Sequence, residues 1–205
     1  QYPPRMASAS LPPCSRLWLV PAGLLTAALV MAVGPYQELM ELSEATGGPL
    51  DESPRGTPAE VTEHFTSIGA RGLDLYRAHF WWDLPFGLTN ALALWAMVTV
   101  GLGRTRLAIP RAVRAVAAGL PVLAAVLDVV ENVGVALLVR QADAPGETIT
   151  LATHVVTSAK FLAFGAAGLA AIGSIALWLR FRRRPGQTGT SQTTSSASST
   201  PRTTK

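Results

Sequence analysis

One apolar run, residues 115–139, constrains the fold of this chain more than any other feature. It holds 25 residues between Arg114 and Arg140, and a helix needs only ~20 apolar residues to cross a bilayer. The polar residues that interrupt it are Asp128, Glu131 and Asn132. A charged side chain near the bilayer centre costs ~2.5–3.5 kcal/mol on insertion. Spacings of three and four place these side chains on one helical face, so that face should point at protein rather than lipid.

The composition argues against an ordinary soluble domain. Only 15% of the residues are charged and 49% are hydrophobic, whereas soluble domains carry about 25% charged residues. The net charge of +4 comes from basic residues beside apolar runs, where membrane topology explains them, so no nucleic-acid partner is predicted. The single cysteine, Cys14, excludes an intrachain disulfide and a cysteine-based zinc site. No histidine spacing typical of metal ligands occurs, and we predict neither a metal nor a cofactor.

Four apolar runs predict an all-α membrane protein, a four-transmembrane-helix bundle with a long extracytoplasmic loop. The predicted helices cover about 17–34, 79–101, 115–139 and 151–179. Residues 1–16 are predicted to be a disordered cytoplasmic N-terminus, and residues 181–205 a basic stop followed by a disordered cytoplasmic tail. The first run has an alternative interpretation as a cleaved signal peptide.

The predicted outer loop, residues 35–78, is polar and rich in acids. Inside it, Thr57 at the cap position, Pro58 at the first helical position and Glu60 at the third form a capping box. This pattern predicts a short loop helix over about 58–69.

The basic residues near the helix ends indicate the orientation. Arg16, the four-arginine loop 103–114 and the basic stop at 180–184 share one side of a four-helix arrangement. The acidic loops 35–78 and 141–150 share the other, so both termini should be cytoplasmic. Only two of the 17 basic residues are lysine, a bias typical of GC-rich bacterial genomes. We therefore predict a multi-pass protein of the bacterial inner membrane.

Depth along the helices brings further polar residues to the level of the first three. At ~1.5 Å per residue, Glu131 and Lys160 both lie ~13 Å below the outer boundary. We expect them to pair, because an unpaired ion in hydrocarbon is costly. One lysine cannot neutralise two nearby carboxylates, so Asp128 is the group expected to change its protonation. The predicted polar cluster comprises Asp83, Asn90, Asp128, Glu131, Asn132, His154, Thr157 and Lys160. Its candidate catalytic residues are Asp128, Glu131 and Lys160.

Two interpretations of this cluster stay open. In the first, it lines a pocket that binds, moves or isomerises a small lipidic molecule. In the second, its hydrogen bonds only hold the helices together, and the chain is a non-catalytic membrane protein that assembles with a partner. Whether the chain is an enzyme is left open. A small-residue face at Gly165, Gly168 and Gly173 favours close helix packing, and such faces would also allow a homo-oligomer.

Four motifs occur in a fixed order along the chain. They are G-A-R-G-L-D-L-Y at 69–76, W-D-L-P-F at 82–86, L-D-V-V-E-N at 127–132 and T-S-A-K-F at 157–161. Over about residues 17–180 the chain resembles a family of small, uncharacterised bacterial four-helix integral membrane proteins, which share a second-helix Asp followed by Pro, a third-helix D-x-x-E-N and a fourth-helix Lys. The resemblance implies a fold and a polar cluster but no activity. A weaker likeness is to the four-helix sterol-isomerase and sigma-two-receptor family, from which no site residue carries over.

Overall fold

The computed structural model describes residues 15–105 and 107–181, and all regular structure in these two ranges is helical. The α-helices are α1 (Leu19–Val33), α2 (Tyr36–Ser43), α3 (Pro58–Arg104), α4 (Arg111–Arg140) and α5 (Glu147–Phe181). Short 3-10 turns precede α1 (Ser15–Trp18) and follow α2 (Glu44–Thr46). The termini predicted to be disordered lie almost wholly outside the described residues.

Three helices, α3, α4 and α5, are long and apolar enough to cross a membrane. The segment Tyr36–Thr46 is bent by 57° from α1, and the two would supply a fourth candidate only if they form one span. The long helices expose many large apolar side chains, among them Val116 on α4 and Leu162 and Leu169 on α5. Such a surface suits lipid rather than water.

Helix α3 begins as the capping box predicts. The Thr57 hydroxyl accepts the Glu60 amide N–H at 3.3 Å, and the Glu60 carboxylate accepts the Thr57 amide N–H at 3.0 Å. Helical geometry breaks at Gly69, close to the predicted end of the loop helix. Gly69 takes φ 62° and ψ −166°, which a residue without Cβ tolerates. A second helical section follows directly and runs to Arg104, so the second membrane helix begins well before the predicted residue 79 and shares one kinked element with the loop helix. Within the predicted loop, only Pro35 and residues 47–57 lack helical structure.

Helix α3 is the central element of the fold. It packs against α1, α2, α4 and α5, and α4 also packs against α5. Within the described residues, α1 brings no Cα atom within 8 Å of α4 or α5. The backbones of α1 and α5 therefore both lie against α3 without being adjacent to each other.

Side-chain hydrogen bonds fasten the loop 47–57 to α3. The Tyr76 hydroxyl accepts the Leu50 amide N–H at 2.7 Å and lies 2.8 Å from Nε2 of His64. Inside the loop, the Arg55 guanidinium donates to the carbonyls of Ser53 and Gly48 at 2.9 and 3.1 Å. These contacts hold the loop residues that follow Leu50 over the polar face of α3.

Candidate functional site

A buried lysine on α5 forms the centre of a charged cluster. Lys160 makes an ion pair with the completely buried Glu131 of α4, and its Nζ lies 3.5 Å from Oδ1 of Asp128 on the same helix. Side chains from consecutive antiparallel helices thus meet at one level, as their matched depth predicts. One cation is shared between two carboxylates.

Helix α3 adds an acid and an amide to this cluster. The Asn132 amide donates to Oδ2 of Asp83 at 2.7 Å, which ties α4 to α3 within the buried region. The Asn90 amide donates to the backbone carbonyl of Phe86 at 3.0 Å. Thr157 is completely buried beside Glu131. The structure thus brings together every member of the predicted cluster except one.

The exception is His154. Its Nδ1 lies 3.3 Å from the carbonyl oxygen of Pro54, and its side chain borders a shallow cavity lined by loop residues such as Arg55 and Gly56. His154 therefore contacts the loop 47–57 rather than the Lys160 cluster. The reason is its position close to the start of α5, at the level of the loop.

A buried histidine–aspartate pair adjoins the cluster, and the sequence analysis did not assign it to the site. His79 Nε2 lies 3.4 Å from Oδ2 of Asp51, and both residues are buried. His79 precedes Asp83 by four residues, so helical spacing could have placed it on the same face. No sequence signal could have placed Asp51, because the path of the loop delivers it.

The environment of Asp51 favours its charged form. Burial raises the pKa of this carboxyl, but the contact with His79 and the attraction of Lys160 outweigh burial and hold the pKa below its usual range. Beside it, the Tyr36 hydroxyl donates to Glu52, and the Tyr36 ring lies 5.7 Å from the His79 ring. The loop 47–57 and α2 thus supply further polar groups beside the site.

A cavity of about 440 Å³ lies beside these groups. Its polar lining residues are Tyr36, Asp51, Glu52, His79, Asp83, Asn90, Asp128 and Lys160. Val30 and Met31 of α1 form one apolar wall, and Phe161 and Phe164 of α5 form another. The Cα atoms of α1 and α5 lie more than 8 Å apart, so side chains of two helices with separate backbones share this cavity.

A close approach of α3 and α4 depends on Gly87. A Cβ atom at this position would overlap the carboxylate of Asp128. The missing side chain lets Asp128 lie against α3 while it remains within reach of Lys160. Small size, rather than backbone freedom, explains glycine at this position.

Metal-binding geometry is lacking in residues 15–105 and 107–181, where no group of three or more His, Cys, Asp or Glu side chains could hold an ion. No protein-family model, curated protein or solved structure matches the chain. What the protein does must therefore be argued from the geometry of the site.

Proposed function

We propose that this chain is an integral membrane protein whose 440 Å³ cavity binds a small lipidic molecule. The observation that carries the proposal is a cavity lined by Lys160 and Asp128 together with apolar side chains of α1 and α5. We infer that it opens sideways between these two helices, because their Cα atoms lie more than 8 Å apart. Its volume falls in the range of ~300–1,000 Å³ common for small-molecule sites. A ligand with an apolar body and a polar end group matches this distribution of side chains.

The polar end of the cavity suits hydrogen bonding and proton exchange. Lys160 offers N–H donors, while Asp83 and Asp128 offer acceptor oxygens. Paired donors and acceptors at the end of a ligand could also transfer a proton, which an isomerisation requires. Binding is the step that the geometry supports best, and movement or isomerisation of the ligand would build on it.

The membrane arrangement that accompanies this proposal has four crossings. We take α1 with the bent segment Tyr36–Thr46 as the first span, and α3, α4 and α5 as the others, which form a four-helix bundle. The arginines around the α3–α4 connection and after α5 then face the cytoplasm of a bacterial cell. The loop 47–57 and the His79–Asp51 pair beside it face the opposite side.

The test is to block the sideways opening and measure the lipids that remain bound. Met31→Trp places a large side chain at the opening. Leu29→Trp makes a similar change at an exposed position of the same helix outside the cavity. The wild type and both variants are purified in mild detergent, and extracted lipids are quantified by mass spectrometry. We expect one lipid class to be enriched over the bulk membrane with the wild type and Leu29→Trp, and most of that enrichment to be lost with Met31→Trp.

Thermal unfolding of the three proteins shows whether each variant folds. Both substituted side chains are exposed on α1, so we expect both variants to fold. Equal lipid profiles for all three folded proteins would contradict the proposal. So would a wild-type profile identical to that of the bulk membrane.

One observation favours the structural alternative. Cβ atoms added at Gly165, Gly168 and Gly173 would meet no atom within 4 Å, so this small-residue face of α5 is open within the chain. It could pack closely against a second copy. Native mass spectrometry of the wild type and Gly168→Leu tests this candidate, which requires an oligomer that the substitution dissociates.

A further inference from the structure

A second cavity, of about 310 Å³, lies between α3 and α4 near the outer loop. Arg77 of α3 and Arg140, the last residue of α4, both line it and are exposed. Arg77 also pairs with the exposed Asp74 at 2.5 Å, a type of contact that contributes little and exchanges readily. Among the residues that the structure describes, Arg140 forms no ion pair. The two guanidinium groups therefore give the cavity a cationic mouth.

The deeper part of this cavity offers hydrogen-bond donors. The His79 side chain is 7% exposed, and its Nδ1 has no hydrogen-bond partner. The Asn132 amide uses one N–H to reach Asp83, so a second N–H stays available. Asp51 also lines the cavity, but it faces Nε2 of His79 at 3.4 Å, which offsets its charge. Oδ1 of Asp51 has no hydrogen-bond partner, so an acidic group is expected to stay at the level of the arginines, with the donors of His79 and Asn132 below it.

One wall of the cavity is apolar and extends from the level of the arginines towards the hydrocarbon. Val135, Ala136 and Val139 supply it from α4. Trp81, on the α3 side, is 71% exposed, and exposed tryptophan beside arginine is typical of the membrane–water interface. The cavity thus combines a cationic mouth with a surface suited to an acyl chain.

We propose that this second cavity binds the acidic headgroup of a membrane phospholipid. Arg77 and Arg140 contact the phosphate, since guanidinium groups bind phosphate oxygens in a bidentate manner, and an acyl chain lies along Val135 and Val139. Free inorganic phosphate shares the headgroup chemistry but gains nothing from the apolar wall. The two cavities share Asp51 and His79, but Met31 lines only the first, so Met31→Trp should leave lipid binding at the second cavity unchanged.

The experiment uses the full chain reconstituted in vesicles of phosphatidylcholine, with or without phosphatidylglycerol. Lipids retained on the protein are counted by native mass spectrometry after transfer to detergent. The test variant is Arg77→Gln with Arg140→Gln. The matched control is Arg71→Gln with Arg111→Gln, which removes the same charge at two exposed arginines that do not line the cavity.

We expect the wild type and the control to retain phosphatidylglycerol in preference to phosphatidylcholine. The preference of the test variant should fall at least about tenfold, because each basic residue near a membrane surface contributes ~1 kcal/mol towards acidic lipid. Ala136→Trp fills the apolar wall without a change in charge and should also lose the preference. This variant keeps the test decisive if the double arginine variant does not fold.

Two results would overturn the proposal. An equal loss in the Arg71/Arg111 control would show that overall charge, not this cavity, selects the lipid. Thermal stabilisation of the wild type by inorganic phosphate alone, with no further effect of phosphatidylglycerol, would assign the cavity to a free anion instead of a lipid headgroup.

Discussion

At the scale of single residues, the site contains more buried carboxylates than cations that could neutralise them. Lys160 pairs with Glu131 and lies 3.5 Å from Asp128, while Asp83 relies on a neutral amide. A buried ion without its partner is far more costly than the pair itself is stabilising. Removal of one member should therefore have a larger effect than removal of both.

The first prediction concerns the pair Glu131 and Lys160. Lys160→Ala should destabilise the protein by about 3–5 kcal/mol, the range measured when a buried pair loses one partner. Adding Glu131→Gln should restore much of that loss, because the acid left unpaired becomes a neutral amide. A double-mutant cycle on thermal unfolding in detergent measures the interaction. Strictly additive losses would mean that the two residues do not interact.

The second prediction concerns Asp51 and pH. The contact with His79 holds the pKa of Asp51 below its usual range, so the ionised carboxylate stabilises the folded state. This contribution is complete above the unfolded pKa of ~3.9 and is lost as the pH falls through the lower folded value. Asp51→Asn should thus lower the unfolding temperature near neutral pH, and the difference from the wild type should shrink below about pH 4. A difference that does not change with pH would contradict this assignment.

At the scale of elements, α3 organises both the fold and the site. The kink at Gly69 divides it into a first section, which carries His64, and a second section, which carries Tyr76. These two side chains together anchor the loop. The second section also carries His79, Asp83 and Asn90, which line the cavity. A substitution on the polar face should therefore disturb the site even where it favours the helix.

The third prediction compares two glycines in helices. Gly165→Ala meets no neighbouring atom, so it should be neutral or stabilise by up to about 1 kcal/mol through helix propensity. Gly87→Ala has the same gain, but its Cβ would overlap the Asp128 carboxylate. Overpacking of this kind costs about 1–3 kcal/mol, and displacement of Asp128 weakens its contact with Lys160.

Thermal unfolding of both variants against the wild type measures this difference. Equal stability of Gly87→Ala and Gly165→Ala would show that Asp128 can move away freely.

At the scale of the whole molecule, the structure has three long apolar helices, and the bent pair of α1 with Tyr36–Thr46 supplies a fourth crossing if it forms one span. With four crossings, the two ends of α3 lie on opposite sides of the membrane. Two exposed residues lie towards these two ends. Ser67 lies in the section of α3 before Gly69, and Ala108 lies in the α3–α4 connection. They are matched reporters of the two sides.

The fourth prediction uses single cysteines, since Cys14 is the only native one and can be replaced by serine. In right-side-out membrane vesicles, an impermeant maleimide should label Ser67→Cys but not Ala108→Cys. Detergent should make both accessible. Labelling of Ala108→Cys in sealed vesicles would overturn the proposed orientation.

The sequence by itself determines the three long apolar helices, the capped start of α3 and much of the polar cluster, but it did not predict α2. Long apolar runs require helices in lipid, and the helical period places Asp128, Glu131 and Asn132 on one face. Depth arithmetic alone puts Lys160 level with Glu131. These inferences hold because they depend on local geometry and on the cost of a buried charge, both of which can be evaluated without tertiary contacts.

Only the tertiary structure decides what surrounds that cluster. The loop path brings Asp51 to His79 and takes His154 away towards Pro54, and no local pattern encodes the direction of a loop. Tertiary packing also places α1 and α5 on α3 with their Cα atoms more than 8 Å apart, and side chains of both line the cavity. Which apolar faces pack against each other depends on the fit of many side chains at once. The hydrophobic pattern alone therefore could not show whether the polar cluster borders a cavity.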